Sequence, residues 1–377
     1  MNSAQILERL VSFPTVSRDS NLSLIEFVRE FLTSCGASTR IYMDAGGRKA
    51  NLYASIGPSE RPGILLSGHT DVVPVDGQKW STDPFELRER GERLYARGSA
   101  DMKGFLACAL RAARRAAQAP LRMPLQLAFS YDEEIGCLGV RSLIDDMADW
   151  SHLPRFCIVG EPTLLRPAVG HKGKTAFRAT CHGRAAHSAN PALGVNAIHM
   201  AADFIGRIRE RQADIAQSGA RDPAYEVPYT TLHVGVIQGG TVLNIVPSRC
   251  ELEFEFRNIP NDDAPRLTAS LRADAAAIAE RCGTAIDLDI NHESPALDTP
   301  PNAEVVELAG ELTGHRETIK VGYGSEAGLF SGRLGIPTVV CGPGSIDQAH
   351  KPDEFVALDQ LQACDAMMDA LIARLRS

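Results

Sequence analysis

No apolar run in this sequence approaches the roughly 20 residues that a membrane-spanning helix needs, so no membrane partner is expected. The first residues also lack the uninterrupted apolar stretch of a secretion signal, because Glu8 and Arg9 fall inside it. Close cysteine pairs are missing. The nine cysteines are odd in number and scattered without a Cys-x-x-Cys motif, which points to reduced thiols in the cytoplasm and not to a disulfide framework. A basic excess is missing as well. Lys and Arg number 39 against 47 Asp and Glu, a formal net charge of −8, so the electrostatic footprint of a nucleic-acid binder is absent. A cytoplasmic protein with no nucleic-acid partner is the expectation.

The chain has 377 residues, 44% of them apolar, which is more than one compact domain typically holds and enough for two cores. Ile6, Leu7, Leu10 and Val11 fall at helical spacing behind Ser3, a candidate cap. A second helix is expected over 22–35, with Leu24, Ile25, Val28, Phe31 and Leu32 on one face and Gly36 as its stop. Ile64-Leu65-Leu66 reads as a buried strand, 104–118 as an Ala-rich helix, and 125–129 and 156–159 as further buried strands. Strands alternating with helices imply an α/β fold with a mostly parallel central sheet flanked by helices.

The pattern changes near Lys174. Residues 175–181 alternate, and Glu251-Leu252-Glu253-Phe254-Glu255-Phe256-Arg257 alternates strictly between charged and apolar. A strand with one solvated face belongs to an antiparallel sheet. With amphipathic helices expected over 194–211 and 263–281, this stretch makes a small α+β unit. The first pattern then returns, with a buried strand at 336–340 and a helix at 357–375. The expected organisation is a discontinuous domain of residues 1–173 and 292–377, interrupted by an inserted α+β domain of residues 174–291.

The polar residues that follow the buried strands carry the chemistry. Ile64-Leu65-Leu66-Ser67-Gly68 runs into His69-Thr70-Asp71; 125–130 runs into Asp132-Glu133-Glu134; Phe156-Cys157-Ile158-Val159-Gly160 runs into Glu161-Pro162; and 336–341 leads through Gly342-Pro343-Gly344 toward His350. The carboxyl ends of parallel strands gather at one edge, where ligands bind. Asp101 joins them from the loop Arg97-Gly98-Ser99-Ala100-Asp101-Met102-Lys103-Gly104. Histidine and carboxylate ligands without thiolate suit zinc, and also cobalt or manganese, and the set is large enough for two ions sharing a carboxylate. One ion can activate a bridging water while the other polarises a scissile carbonyl. Glu133 and Glu134 can divide the remaining work, one ligating and one acting as general base.

These motifs resemble those of the co-catalytic zinc amidohydrolases that include acetylornithine deacetylase, succinyl-diaminopimelate desuccinylase, aminoacylase and glutamate-releasing carboxypeptidases. The segments that match are Ser67-Gly68-His69-Thr70-Asp71-Val72-Val73-Pro74, Arg97 to Gly104 as written above, Asp132-Glu133-Glu134, Gly160-Glu161-Pro162, His187-Ser188-Ala189 and Asn244-Ile245-Val246-Pro247. The resemblance covers essentially the whole chain and implies a zinc-exopeptidase-like catalytic domain with an inserted lid and dimerisation domain. It further implies two zinc ions per subunit, with cobalt able to substitute. His69 and Glu161 would bind one ion, Glu134 and His350 the other, and Asp101 both, with a cis peptide following it. Asp71 would hydrogen-bond the His69 imidazole, a contact that fixes its tautomer. Glu133 would be the general base, and His187 would stabilise the oxyanion, in its own active site or that of a partner in a homodimer. Asn244 would hold the carbonyl or substrate, and Arg257 would clamp a substrate carboxylate; a neighbouring Glu is an equal candidate as its partner.

Within the family, Gly170-His171-Lys172-Gly173-Lys174, Tyr323-Gly324-Ser325-Glu326-Ala327-Gly328 and the stretch from Cys341 to Phe355 resemble the acetylornithine deacetylase branch. Ser325 stands where Thr is more usual. Glu326 is expected to meet a side-chain ammonium of a small N-acyl amino acid substrate. Three rivals remain: a desuccinylase or broad aminoacylase of the same chemistry, a binding protein that keeps the fold without catalysis, and a thiol hydrolase. The second predicts a lost ligand, yet every position is filled. The third lacks a cysteine in a nucleophile context.

Overall fold

The computed structural model describes residues 1–376. They divide into two compact units, one of residues 1–170, 297–320 and 325–376, the other of residues 171–296 and 321–324. The divisions fall a few residues from those expected because strand pairing reaches past the predicted ends. Ser294 is in register with Lys174, and Gly173 and Asn258 exchange backbone hydrogen bonds.

The first unit is built on a nine-stranded sheet. Its order is Ser38–Met43, Ala50–Ile56, Leu125–Ser130, Ile64–His69, Phe156–Pro162, Thr338–Gly342, Ala168–His171 and Leu297–Asp298, with Ile319–Val321 also on Ala168–His171. The four central strands run parallel. They are the four that precede the polar motifs, and every residue in them is buried. Continuous apolar runs rather than alternation are what a strand covered on both faces requires. The α/β fold with a mostly parallel central sheet is therefore the one the alternation implied. Antiparallel strands occupy the flanks, among them Ser38–Met43 and Ala50–Ile56, which the periodicity did not single out. Helices Ser3–Val11, Gly104–Ala116, Glu304–Thr313 and Leu358–Leu375 pack on one another, while Val140–Met147 packs against Ala327–Leu334. The first helix is capped by Asn2, not Ser3: Asn2 and Gln5 form a reciprocal capping box.

Two glycines let the Gly104–Ala116 helix settle onto the sheet. A Cβ on Gly160 would lie 2.0 Å from the Phe105 ring, and one on Gly68 would lie 2.5 Å from the Met102 side chain. Each glycine directly precedes a candidate ligand, Glu161 or His69, so helix and ligand approach the same strand end.

The second unit is a four-stranded antiparallel sheet in the order Thr231–Gly239, Arg249–Arg257, Lys174–His182 and Ala285–Ser294. Cys250, Leu252, Phe254 and Phe256 turn inward and the residues between them outward, as the strict alternation requires. Phe177 stacks on Phe254 at 4.9 Å, and Phe204 meets Phe254 edge-on at 5.6 Å. Phe204 comes from helix Ala197–Ser218, which packs with helix Ala264–Cys282 over the sheet. The former helix starts later than 194 because Asn196 caps it, accepting from the N–H groups of Ile198 and His199.

Gly160→Ala tests the close approach of helix and strand. Overpacking of this kind typically costs about 1–3 kcal/mol, and the substitution is expected to lower the midpoint of urea unfolding accordingly. An unchanged midpoint would mean that Phe105 moves aside freely.

Candidate metal centre

The carboxyl ends of the four parallel strands deliver their polar residues to one place. His69 ends its strand, Glu161 lies near the end of the next, and Glu133 and Glu134 stand in the turn after Leu125–Ser130. His350 follows the short helical turn Ile346–Gln348. Asp101 lies in the tight π-type turn Ser99–Lys103, and its peptide bond to Met102 is cis.

Asp101 faces both histidines. Its Oδ1 is 3.1 Å from His69 Nε2, and its Oδ2 is 3.3 Å from His350 Nε2. His69 Nε2 also lies 3.8 Å from Glu161 Oε1, and His350 Nε2 lies 3.1 Å from Glu134 Oε2. Ligand atoms of His69, Glu133 and Glu161 lie within 4.8 Å of one another, and so do those of His69, Asp101 and Glu134. Glu161 Oε1 is buried and has no hydrogen-bond partner among the described residues.

The electrostatics follow from crowding. Burial, with the charges of neighbouring acids added, pushes Glu133 up to about 8 and Glu134 up to about 7. The same causes raise Glu161 well above the ordinary carboxylate range. Burial also works against a charged Asp101, but hydrogen bonds from His350 and His69 outweigh it and hold that carboxyl low. Those contacts, with Glu134, lift His350 to about 10. In His69 burial opposes the charge, yet Asp101, Glu161 and Glu133 together raise the imidazole well above its usual value. Three glutamates are thus raised while Asp101 is held low, and both histidines are raised with them. Nitrogen and oxygen donors of this kind, with a buried carboxylate oxygen otherwise unpaired, fit a pair of divalent cations.

The sequence model of Peptidase family M20/M25/M40 matches residues 65–374, which include every one of these ligands. The chain belongs to this family. Among its relatives, an acetylornithine deacetylase of Pasteurella multocida (strain Pm70) is 36% identical over 98% of this chain and 97% of that protein. Another, from Shigella sonnei (strain Ss046), is 36% identical over 93% and 92%. Among solved structures, a tripeptidase from Staphylococcus aureus superposes with a TM-score of 0.80 at 22% identity, covering 100% of this chain and 98% of that one. As an M20-family hydrolase the protein is a metal-dependent amidohydrolase.

The M20 motifs place further residues in ways the sequence did not show. His69 Nδ1 lies 2.8 Å from the Asp71 main-chain carbonyl and 3.6 Å from its carboxylate. The Asp71 carboxylate instead accepts from the N–H groups of Glu133 and Glu134, at 3.1 and 3.3 Å, and from the Ser17 hydroxyl at 2.8 Å. Asp71 therefore positions the two glutamates and not chiefly the imidazole.

Glu326 is a correction. It is only 1% exposed, and both its oxygens accept hydrogen bonds, from the hydroxyls of Ser67 and Ser130 on the two neighbouring strands. A carboxylate so satisfied is not presented to a substrate's ammonium. Burial raises it to about 7. Ser325 is likewise buried, and its hydroxyl accepts the Ala327 N–H at the start of the next helix rather than facing a substrate.

In the second unit, His187 and Asn244 come together. The Ser188 N–H donates to the Asn244 carbonyl at 3.1 Å, and both side chains are exposed. His187 Nδ1 accepts the Ala189 N–H at 3.0 Å, so the ring proton belongs on Nε2, which leaves that nitrogen a donor. Arg257 pairs through Nε with Glu255 at 2.8 Å, the alternative its sequence neighbourhood had left open. Its Nη groups carry no hydrogen bond among the described residues. The sequence reading missed Lys172 beside it. Burial, with the Arg257 charge added, lowers the Lys172 ammonium, whose Nζ donates to the Tyr229 carbonyl at 2.7 Å. The signal was its place in the Gly170–Lys174 motif. Also missed was Lys49, which grips both oxygens of Asp132 at 2.6 and 2.8 Å and so anchors the turn that carries Glu133.

Replacing shared and unshared ligands should separate the two positions. Asp101→Ala is expected to remove both metals and His350→Ala only one, as counted by elemental analysis after dialysis. Equal losses in the two variants would refute a bridging Asp101.

Proposed function

We propose that this M20 hydrolase removes the acetyl group of N-acetyl-L-ornithine, giving L-ornithine and acetate, with two zinc ions that cobalt can replace. The observation that carries the chemistry is the two-sided contact of Asp101 with His69 and His350, which is what one carboxylate shared by two cations requires. Support for the substrate is the 36% identity, over nearly the full length, to proteins named acetylornithine deacetylase. The cysteine pattern supports a cytoplasmic setting, and no helix among the described residues is long and apolar enough to cross a membrane.

Bound metal ions would acidify a water and polarise the acyl carbonyl. The protein does the rest. Glu133, held by its backbone to Asp71, takes the water's proton and delivers it to the departing amine. His187 Nε2 donates to the developing oxyanion. Arg257, with Lys172 beside it, supplies cationic donors for the substrate carboxylate.

Strand Thr231–Gly239 is an outer strand of its sheet, with Val236 and Ile237 41% and 50% exposed. An exposed apolar edge of this kind is ordinarily covered, and we assign it, with helix Ala197–Ser218, to a homodimer interface. Sedimentation as a monomer at micromolar concentration would remove that assignment.

The direct test is hydrolysis of N-acetyl-L-ornithine, N-succinyl-diaminopimelate and N-acetyl-L-methionine by zinc-loaded protein, with and without chelator. Chelator-sensitive preference for acetylornithine is expected. Preference for another of the three would keep the chemistry and change the substrate, and metal-independent activity would sink both. Glu133→Ala should abolish turnover with metal retained. His187→Ala should lower kcat about 10²–10³-fold, the usual worth of an oxyanion donor, at unchanged metal content; full activity would exclude His187 from that role.

A further inference from the structure

His350 is the ligand that packing does least to hold. Its side chain is 53% exposed, its backbone adopts φ +63°, and it sits in a loop well past the end of its strand. The other ligands have buried side chains and lie at strand ends, in the turn that follows one or just ahead of a helix. What holds the His350 loop is a set of polar contacts that the reaction itself does not use. Gln78 Nε2 donates to the His350 main-chain carbonyl at 2.9 Å. Arg97 donates to Gln78 Oε1 at 2.6 Å and to the Lys351 carbonyl at 3.3 Å.

Glu354 closes the set. Its carboxylate is 1% exposed. One oxygen accepts from Arg97 Nη1 at 2.7 Å and from the Gly98 N–H at 3.0 Å. The other accepts from the N–H groups of Ala100 and Asp101 at 2.9 and 3.1 Å. A buried carboxylate is tolerated only when it is paired in this way, and hydrogen bonds to a charged acceptor are among the strong ones. Glu354 belongs to the loop that carries His350, and the backbone it grips belongs to the loop that carries Asp101. No hydrogen bond joins it to His69 or Glu161 among the described residues.

We propose that Glu354 is a positioning residue. Through Arg97 and Gln78 it sets the separation of Asp101 and His350, and so creates the cation position shared by Asp101, Glu134 and His350. The inference rests on the two-metal reading of the proposed function. In a glutamine at this place, one oxygen becomes an amide donor that faces other donors, so part of the grip turns repulsive.

The experiment is calorimetric titration of metal-free wild type, Glu354→Gln and Gln78→Ala with zinc. Bound metal is counted after gel filtration, and thermal unfolding of each metal-free form is measured alongside. Wild type is expected to bind two zinc ions. Glu354→Gln should keep one at wild-type affinity and weaken the other about 10–100-fold, the range seen when a partner orienting a ligand is lost. Gln78→Ala should weaken the same step by less. Two unchanged steps in Glu354→Gln would overturn the proposal, as would equal weakening of both steps with a lowered melting temperature, the signature of a merely structural role. Should Glu354→Gln fail to fold, Gln78→Ala decides, and an unchanged second step in it overturns the proposal. Wild-type protein that takes up no zinc would instead bring down the two-metal reading, and this inference with it.

Discussion

Carboxylates repel one another and resist dehydration, yet the first unit brings Asp101, Glu133, Glu134, Glu161 and Glu326 to one buried sheet edge. Everything around them is arranged to bear that cost. Four parallel strands set the spacing, two glycines let a helix close over the strand ends, serine hydroxyls take up the oxygens of Glu326, and backbone N–H groups and a buried arginine satisfy the flanking acids Asp71 and Glu354. Both histidines meet this crowding of acids, which raises each above the usual imidazole range. Divalent cations are the species that resolve it, and an amidohydrolase uses them to activate water.

The supporting residues have a common character. Asp71, Asp132, Glu326 and Glu354 are all acids near the centre, and none is presented as a ligand: one orients the two glutamates, one anchors their turn to Lys49, one links two strands, and one joins two loops. An acid therefore has two fates here. Where its oxygens are filled by protein donors it organises the scaffold, and where an oxygen is left unpaired, as in Glu161, it is available to a metal.

That distinction explains what could be read in advance. The parallel centre was legible because 64–66 and 156–159 are short apolar runs and 125–129 is broken only by Gln126, the pattern carried by strands covered on both faces. The ligands were legible because strand ends place whatever follows them, so His69, Glu161 and the Glu133-Glu134 pair could be assigned to one edge before any coordinates. The roles of Glu326 and Asp71 were not. Which atoms a side chain meets depends on residues remote in the sequence, such as Ser130 for Glu326, and no periodicity encodes that. The flanking strands Ser38–Met43 and Ala50–Ile56 escaped for another reason: the outermost one is half-exposed, and its pattern resembles a loop.

The order of the sheet also carries a consequence for biosynthesis. Strand Thr338–Gly342 pairs in parallel with Phe156–Pro162, although the whole second unit separates them along the chain. His350 lies later still. A ribosome therefore releases His69, Asp101, Glu133, Glu134 and Glu161 long before their last companion emerges, and the acids must wait, mutually repelling, while the inserted unit is made. Non-local pairings of this span are intrinsically slow to form. The growing chain consequently carries the acidic residues before it carries the residue that completes them, and the site as described can assemble only after Thr338–Gly342 and the His350 loop have been made.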